Sequence, residues 1–297
     1  MEPKTRRAYF LDYPSGLEEE EEVTFILSLH GGATLPNWHR HYFPAFDYKD
    51  KYRLVIATPI AGSIRWTETD DEYLQNIVSA VYGQFGTKIK AFWLAGHSQG
   101  GVNANRLLRT PFFMHRVDGW LSLSGGRPGP SMPIAADIIS LFESQGSGSE
   151  RKGVPLYLPQ LPKLQIPEGL PNGDISFIFV TGQHELGGLP IPEESLWATK
   201  YAGSKRIHLA TIVDEEPGYV YDRLRQKPGA DAWGRLPRPG TAQVFVYPNC
   251  RDGRLVADVI RFDKGHTEGL EPNITEGIIK LMLSARKMVG ASPTTDQ

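Results

Sequence analysis

Ser98 lies in the segment "GHSQG" (Gly96–Gly100), with a glycine two positions before it and another two positions after it. This setting is typical of a nucleophilic serine. The apolar run "AFWLAG" leads up to Ser98, and the amphipathic segment "VNANRLL" follows it. A strand that turns into a helix this quickly strains the serine backbone, and the positions two before and two after it must be small. The hydroxyl then projects at a helix N-terminus, where free N–H groups favour developing negative charge. The pattern predicts a nucleophilic Ser98.

A nucleophilic serine needs two hydrogen-bond donors for the carbonyl oxygen that becomes negative. One is expected to be the backbone N–H of the next residue, Gln99. The other is expected in "LSLHGGA", where an apolar run ends at His30 and two glycines let the backbone approach a substrate. We assign the second donor to Gly32, with Ala33 as the alternative.

The general base should be one of the eight histidines of the chain. His266, in "FDKGHTEG", lies on a glycine-flanked loop after the last apolar run, late in the chain as the order of such sites requires. Other histidines have other expected places: His30 in the donor loop, His97 beside the serine, His115 near a helix end and His208 in a strand. His39 and His41, in "WHRH", are weak metal-ligand candidates because no carboxylate or thiolate cluster accompanies them. We predict His266 as the base and no metal.

Two carboxylates compete to orient that histidine. Glu185 follows the apolar run "FIFVTG", and Asp214 follows "IHLATIV". Both lie between the serine and the histidine in the chain, where the acid of such a set belongs. Glu185 follows its run at the tighter spacing, so we predict Glu185 as the acid and keep Asp214 as the rival.

Short apolar runs that read as strands alternate with helical patterns along the chain. In residues 70–85, "DDEYLQNIVSAVYGQF", apolar residues recur at i, i+3 and i+4, which predicts a helix packed on a core. The predicted strands are "RRAYFLDYP", "VTFILSLH", "YRLVIATP", "AFWLAG", "GWLSLSG", "ISFIFVTG", "AQVFVYPN" and "LVADVIRF", with a closing helix in "TEGIIKLMLSARKM". Strands that are apolar throughout are typical of a mostly parallel sheet covered by helices on both faces.

Two irregular stretches interrupt this alternation. Residues 127–173 and 214–240 are rich in proline and glycine, with one short helical pattern in "AADIISLFES". Structureless loops of this length in a compact domain are usually functional or disordered. Their aromatic and aliphatic content favours lid or substrate-cleft insertions within a single domain over residues 1–297.

The composition of the chain argues against some classes of binding partner. The net charge of −2 gives no basic surplus for nucleic acid or for an anionic membrane. No stretch has the apolar length of a membrane span. The single cysteine, Cys250, rules out an internal disulfide, which suits a reducing compartment. With no signal-peptide core visible, we expect a cytoplasmic protein, and secretion after removal of a leader stays open.

The chain order Ser98, Glu185, His266, with "HGG" upstream, resembles the α/β-hydrolase superfamily over nearly the whole sequence. A closer similarity is to the esterases grouped with polyhydroxybutyrate depolymerases and feruloyl esterases. It rests on "RWTETDDEYLQNIV", similar to the segment before the nucleophile strand, and on "VYPNCRDGRLVADVIRFDKGH", similar to the closing hairpin. The chain departs from that group in lacking a secretion signal and a partner for Cys250.

The resemblance implies an α/β-hydrolase fold and acyl transfer from an ester to water, without metal or organic cofactor. The substrate would be a small-molecule or oligomeric ester, and Trp38, His39 and Trp66 are predicted to line its pocket. Two alternatives stay open: an amidase or peptidase of the same fold, and a ligand-binding protein that kept the fold without the chemistry.

Overall fold

A computed structural model describes residues 1–63, 65–128, 169–185, 192–221 and 231–285. The helical pattern "AADIISLFES" and most of the stretch 127–173 lie outside these ranges. So does the segment 222–230 of the second irregular stretch.

The described strands form one nine-stranded sheet in the order β1-β3-β2-β4-β5-β6-β9-β8-β7. The five neighbouring pairs from β3 to β9 are parallel, and antiparallel pairing is confined to β1 at one end and to β8 and β7 at the other. The strands are β1 (Tyr9–Asp12), β2 (Val23–Leu29), β3 (Leu54–Pro59), β4 (Ile89–His97), β5 (Gly119–Leu123), β6 (Ser176–Gly182), β7 (Ile207–Val213), β8 (Thr241–Val246) and β9 (Val256–Arg261).

Some of the α-helices begin with a proline. Proline occupies the first turn of the first and last helices, where a missing N–H costs no hydrogen bond. The α-helices are α1 (Pro36–Tyr42), α2 (Lys49–Tyr52), α3 (Asp71–Phe85), α4 (Gln99–Leu107), α5 (Pro111–Met114), α6 (Leu196–Lys200) and α7 (Pro272–Ser284). Short 3₁₀ helices span Ala45–Tyr48, Glu68–Asp70, Gly86–Lys88, Asp231–Trp233 and Arg251–Gly253.

Alternating side chains of the central strands enter two separate cores. In β2, Phe25 and Leu27 join the core that also contains apolar residues of α3, while Ile26 points to the core that contains those of α7. A strand buried on both faces in this way gives the continuous apolar run seen in the sequence. The predicted mostly parallel sheet with helices on both faces is confirmed. None of the described helices is long and apolar enough to cross a membrane.

Parallel strands bring the predicted site residues to one edge of the sheet. His30 follows β2, Ser98 follows β4, Glu185 lies three residues beyond β6, and His266 lies on the loop after β9. The carboxyl ends of these four strands meet at the same edge, where α/β proteins place their sites. Residues far apart in the chain are thereby close in space.

Candidate active site

Ser98 occupies a sharp turn between β4 and α4. Its backbone lies at φ 52° and ψ −122°, a conformation that a residue with a side chain rarely adopts. The glycines on either side are needed for close approach: a Cβ on Gly96 would lie 2.4 Å from the carbonyl carbon of Gly100, and one on Gly100 would lie 2.4 Å from the Leu29 oxygen. The predicted requirement for small residues at these positions is confirmed.

Ser98, His266 and Glu185 form a continuous hydrogen-bonded chain. Nε2 of His266 lies 2.8 Å from Oγ of Ser98, and Nδ1 of the same ring contacts Oε1 of Glu185. Thr181, at the end of β6, donates its hydroxyl to Oε2 of Glu185 at 3.2 Å. A carboxylate accepts from Nδ1–H, which leaves Nε2 unprotonated toward the serine hydroxyl. The structure therefore brings the three predicted residues together in the order that proton transfer requires.

Asp214, the rival acid, lies at the start of α7 instead. Its Oδ1 accepts from the backbone N–H of Asn273 at 2.7 Å, and its Oδ2 accepts from that of Ile274 at 3.0 Å. Burial raises the pKa of Asp214, although the two hydrogen bonds favour its charged form and act in the opposite direction. Satisfying free N–H groups of a helix is a capping role. The two carboxylates that the sequence left in competition thus have different partners.

The loop that carries His266 is braced by residues 231–240, the described end of the second irregular stretch. The backbone N–H of His266 donates to the Ala232 oxygen at 2.8 Å, and that of Thr267 donates to the Trp233 oxygen at 3.0 Å. The Trp233 ring meets the His266 ring edge-on, with centroids 5.6 Å apart and planes at 89°. The sequence predicted a lid or cleft role for this stretch but not these contacts. A segment rich in proline and glycine does not show which distant loop it packs against.

Buried charges hold the same loop from the other side. Arg261 donates to the backbone oxygens of Glu268 and Gly269 at 2.8 and 2.7 Å, and its guanidinium pairs with Glu271 at 3.0 Å. Nζ of Lys264 lies 2.7 Å from Oε1 of Glu271. Burial alone would raise the pKa of Glu271, but the two cations outweigh it and the pKa is lowered. Because each buried charge has an opposite partner, the network fixes the loop that carries His266.

His97 joins the serine turn to the histidine loop. It is buried, and its Nε2 lies 2.9 Å from the backbone oxygen of His266, which can only accept, so Nε2 carries the proton. Burial, followed by the nearby His266 and His39, holds the pKa of His97 well below its usual range. Its Nδ1 faces Gly31, where a Cβ would lie 2.8 Å away. The sequence had placed His97 only beside the serine, without these contacts.

The predicted oxyanion loop packs against the serine turn. A Cβ on Gly32 would lie 3.5 Å from Cβ of Gln99, so the two predicted donor residues lie close together. The Gln99 side chain is fixed by Trp66, donating to its oxygen at 2.9 Å and accepting from its N–H at 2.9 Å. The Trp66 indole N–H in turn donates to the His30 oxygen at 2.8 Å. These bonds connect the loop after β2 to Gln99, the residue after Ser98.

The three predicted pocket residues differ in their surroundings. Trp38 is half-buried, and its ring stacks on Tyr42 with centroids 5.3 Å apart. His39 is 1% exposed, with Nε2 2.8 Å from Oγ of Ser28, and burial lowers the pKa of His39 to about 3. Trp66 is 3% exposed and bonded as described above. His39 thus packs toward the sheet and Trp66 is bonded to the loop after β2, while the expectation that Trp38, His39 and Trp66 line a substrate pocket stays a prediction.

Neither histidine of "WHRH" belongs to a cluster of potential metal ligands among the described residues. His41 is half-buried, with its ring against Phe46 and Tyr219 at centroid distances of 5.4 and 6.0 Å. Among the described residues, no group of three or more His, Cys, Asp or Glu side chains has the arrangement of a metal site.

Comparison with known proteins shows similarity of fold. No family model and no curated protein matches the chain. Among solved structures, an acetyl xylan esterase from Aspergillus awamori matches 96% of this chain and 97% of its own, with a TM-score of 0.52 and 12% identity. A fluorophosphonate-binding serine hydrolase of Staphylococcus aureus matches 60% of this chain and 74% of its own (TM-score 0.41, 13% identity). Carboxylesterase CesB of Bacillus subtilis matches 94% and 91% (TM-score 0.37, 15% identity).

The chain has the α/β-hydrolase fold, as predicted from the order of its motifs. The narrower resemblance to polyhydroxybutyrate depolymerases and feruloyl esterases stays a prediction.

Proposed function

We propose that the chain is a serine hydrolase that cleaves carboxylic esters through an acyl-enzyme intermediate. The observation that carries the proposal is the hydrogen-bonded chain from Ser98 through His266 to Glu185. A similarly folded protein named as an acetyl xylan esterase supports an ester as the substrate class.

In the first half of the reaction, Oγ of Ser98 attacks the ester carbonyl while Nε2 of His266 takes its proton. Glu185 holds the ring in the required tautomer and stabilises the imidazolium that forms. The negative oxygen of the tetrahedral intermediate accepts from the backbone N–H groups of Gly32 and Gln99. His266 then returns the proton to the leaving alcohol, which departs and leaves Ser98 acylated.

In the second half, water repeats the sequence. His266 takes a proton from the water, the resulting hydroxyl attacks the acyl carbon, and the proton returns to Ser98 as the acid leaves. Every proton removed is returned, so the side chains and water suffice for turnover.

Hydrolysis of p-nitrophenyl esters by the wild type and by Ser98→Ala tests the proposal. Loss of the nucleophile should lower kcat by about 10⁴- to 10⁶-fold, since the proton-transfer unit acts as a whole. Ser79→Ala, on the exposed face of α3, makes the same chemical change and should leave kcat unaltered. Retention of more than about a tenth of the activity in Ser98→Ala would overturn the assignment. Faster cleavage of the matching p-nitroanilides would replace esters by amides as the substrate class.

A further inference from the structure

The strand β7 forms one end of the nine-stranded sheet and is rich in apolar residues. Within the part of the chain that the structure describes, β7 pairs only with β8. Its sequence "IHLATIV" contains no Asp, Glu, Lys or Arg, and Ile207, Leu209 and Val213 are 49%, 54% and 60% exposed. A long apolar edge strand is a template for pairing with another strand, and folded proteins normally protect it.

The opposite end of the same sheet shows such protection. There, β1 has four residues, and the Arg40 guanidinium lies 4.6 Å from the centroid of the exposed Phe10 ring. Arg40 also forms an ion pair with Asp12 at 2.6 Å. A short strand covered by a paired cation resists edge-to-edge association. By contrast, β7 is seven residues long, and its one irregularity is a register shift against β8 between His208 and Ala210. We therefore take β7 as the edge available for pairing.

Charges at the two ends of β7 select the orientation of a partner strand. Lys205 precedes the strand, and the exposed Glu215 and Glu216 follow it, beyond the buried cap Asp214. Arg206, nearer the strand, is already committed to Asp258 at 3.5 Å. If a second β7 pairs antiparallel about a two-fold axis near Ala210, Lys205 of each copy faces the glutamates of the other. Parallel pairing would place like charges together.

We propose that β7 is a homodimer interface, at which two copies of this chain pair antiparallel and continue one sheet across a two-fold axis. The two-fold repeats every contact, so one lysine and its opposing glutamates give two equivalent ion pairs. Main-chain hydrogen bonds between the edges supply a ladder, and the exposed apolar side chains of β7 are removed from water. Only β8 lies between β7 and β9, the strand that leads to the His266 loop, but pairing of the β7 edges uses neither Ser98, His266 nor Glu185, so the proposal does not depend on catalysis.

Sedimentation velocity on the full chain tests the interface. The wild type should sediment as a dimer of twice the 33.1 kDa chain mass, and dissociate on dilution as mass action requires. Leu209→Lys places a charge on the exposed edge and should shift the population to monomer. Phe10→Lys, at the protected edge, is the matched control and should leave the dimer intact. All variants should hydrolyse p-nitrophenyl esters at wild-type kcat if the proposed function holds.

A charge exchange tests the orientation. Lys205→Glu should weaken the dimer at low salt, and the double variant Lys205→Glu/Glu215→Lys should restore it. A monomeric wild type at all accessible concentrations would overturn the proposal. So would a Leu209→Lys dimer as stable as the wild type, open-ended aggregation in place of a dimer, or charge variants without effect on dissociation at low salt.

Discussion

At the scale of single residues, substitution of Glu185 and of Asp214 tests which carboxylate is the acid of the proposed mechanism. Glu185→Gln should lower kcat by about 10⁴-fold, because the amide favours the wrong tautomer of His266 and does not stabilise its cation. Asp214→Asn makes the same change at the cap of α7 and should leave kcat near the wild-type value, since an asparagine also caps helices. Steady-state kinetics on purified, folded variants compares them. An inactive Asp214→Asn beside an active Glu185→Gln would reverse the assignment.

A second residue-scale prediction concerns His97. Its Nε2–H holds the backbone oxygen of His266, 2.9 Å away. A glutamine can place an amide N–H near that position, whereas an asparagine is too short. His97→Asn should therefore lower kcat by about tenfold with little change in KM, and reduce the free energy of unfolding by about 1–3 kcal/mol through the unpaired buried carbonyl. His97→Gln should retain most of the wild-type kcat and most of the wild-type free energy of unfolding.

Equal kinetics in the two His97 variants would count against positioning through this hydrogen bond. A change in unfolding free energy without a change in kcat would assign the bond to stability alone.

The local sequence pattern predicted Ser98 as a reactive residue. A tight turn from strand to helix requires small residues two positions before and after the serine, and the glycines at these positions can be read from the sequence. Ser98 was predicted in that way, and Glu185 and His266 were predicted from their order in the chain and their places on loops after strands; the structure places the three within hydrogen-bonding distance. The capping role of Asp214 and the burial of His39 were not predicted, since both depend on which distant element packs against them. Spacing along one strand does not reveal the helix at the far end of the chain.

At the scale of elements, the close packing of α4 on β2 gives a prediction about glycine. A Cβ on Gly100 would lie 2.4 Å from the Leu29 oxygen and 2.5 Å from the His30 oxygen, both backbone atoms that cannot move aside cheaply. Gly100→Ala should displace the oxyanion loop, lower kcat by tenfold or more, and cost about 1–3 kcal/mol of stability as overpacking does.

Gly83, in the last turn of α3, is the matched control. A Cβ there meets nothing within 4 Å, so Gly83→Ala should stabilise the helix by about 0.5–1 kcal/mol and leave kcat unchanged. Thermal unfolding and kinetics measure both variants. A fully active Gly100→Ala would contradict the described contact between the turn and the loop.

Element order was predictable because strands buried on both faces are apolar throughout, and α3 shows helical periodicity. The pairing of β1 with β3 and the exposure of β7 were not predictable. An apolar run such as "IHLATIV" looks the same whether a sheet continues past it or ends there. The brace from residues 231–240 was missed for a similar reason, since its contacts with the His266 loop are long-range.

At the scale of the whole molecule, the buried neutral histidines predict loss of stability in mild acid. Burial lowers the pKa of His39 to about 3 and holds the pKa of His97 well below its usual range. Above about pH 6.5 these side chains are neutral in both states, so their stability contribution is fully present. As the pH falls toward the folded-state pKa, the unfolded chain takes up protons that the folded chain excludes. The free energy of unfolding should then fall by up to about 1.4 kcal/mol per pH unit for each histidine.

Urea unfolding at a series of pH values between neutrality and pH 5 measures this slope. His39→Gln should reduce the slope, because the histidine that burial keeps neutral in the folded protein is then absent. A slope unaffected by His39→Gln would mean that His39 accepts a proton in the folded protein.

The central claim is that Ser98 is an activated nucleophile, and covalent labelling tests it most directly. A fluorophosphonate reacts with a serine only where a base and an oxyanion hole activate it, and the adduct can be located by peptide mass spectrometry. We predict stoichiometric labelling at Ser98, slow labelling of the same residue in Glu185→Gln, and none in Ser98→Ala. An unlabelled wild-type protein, or an adduct on any residue other than Ser98, would contradict the claim.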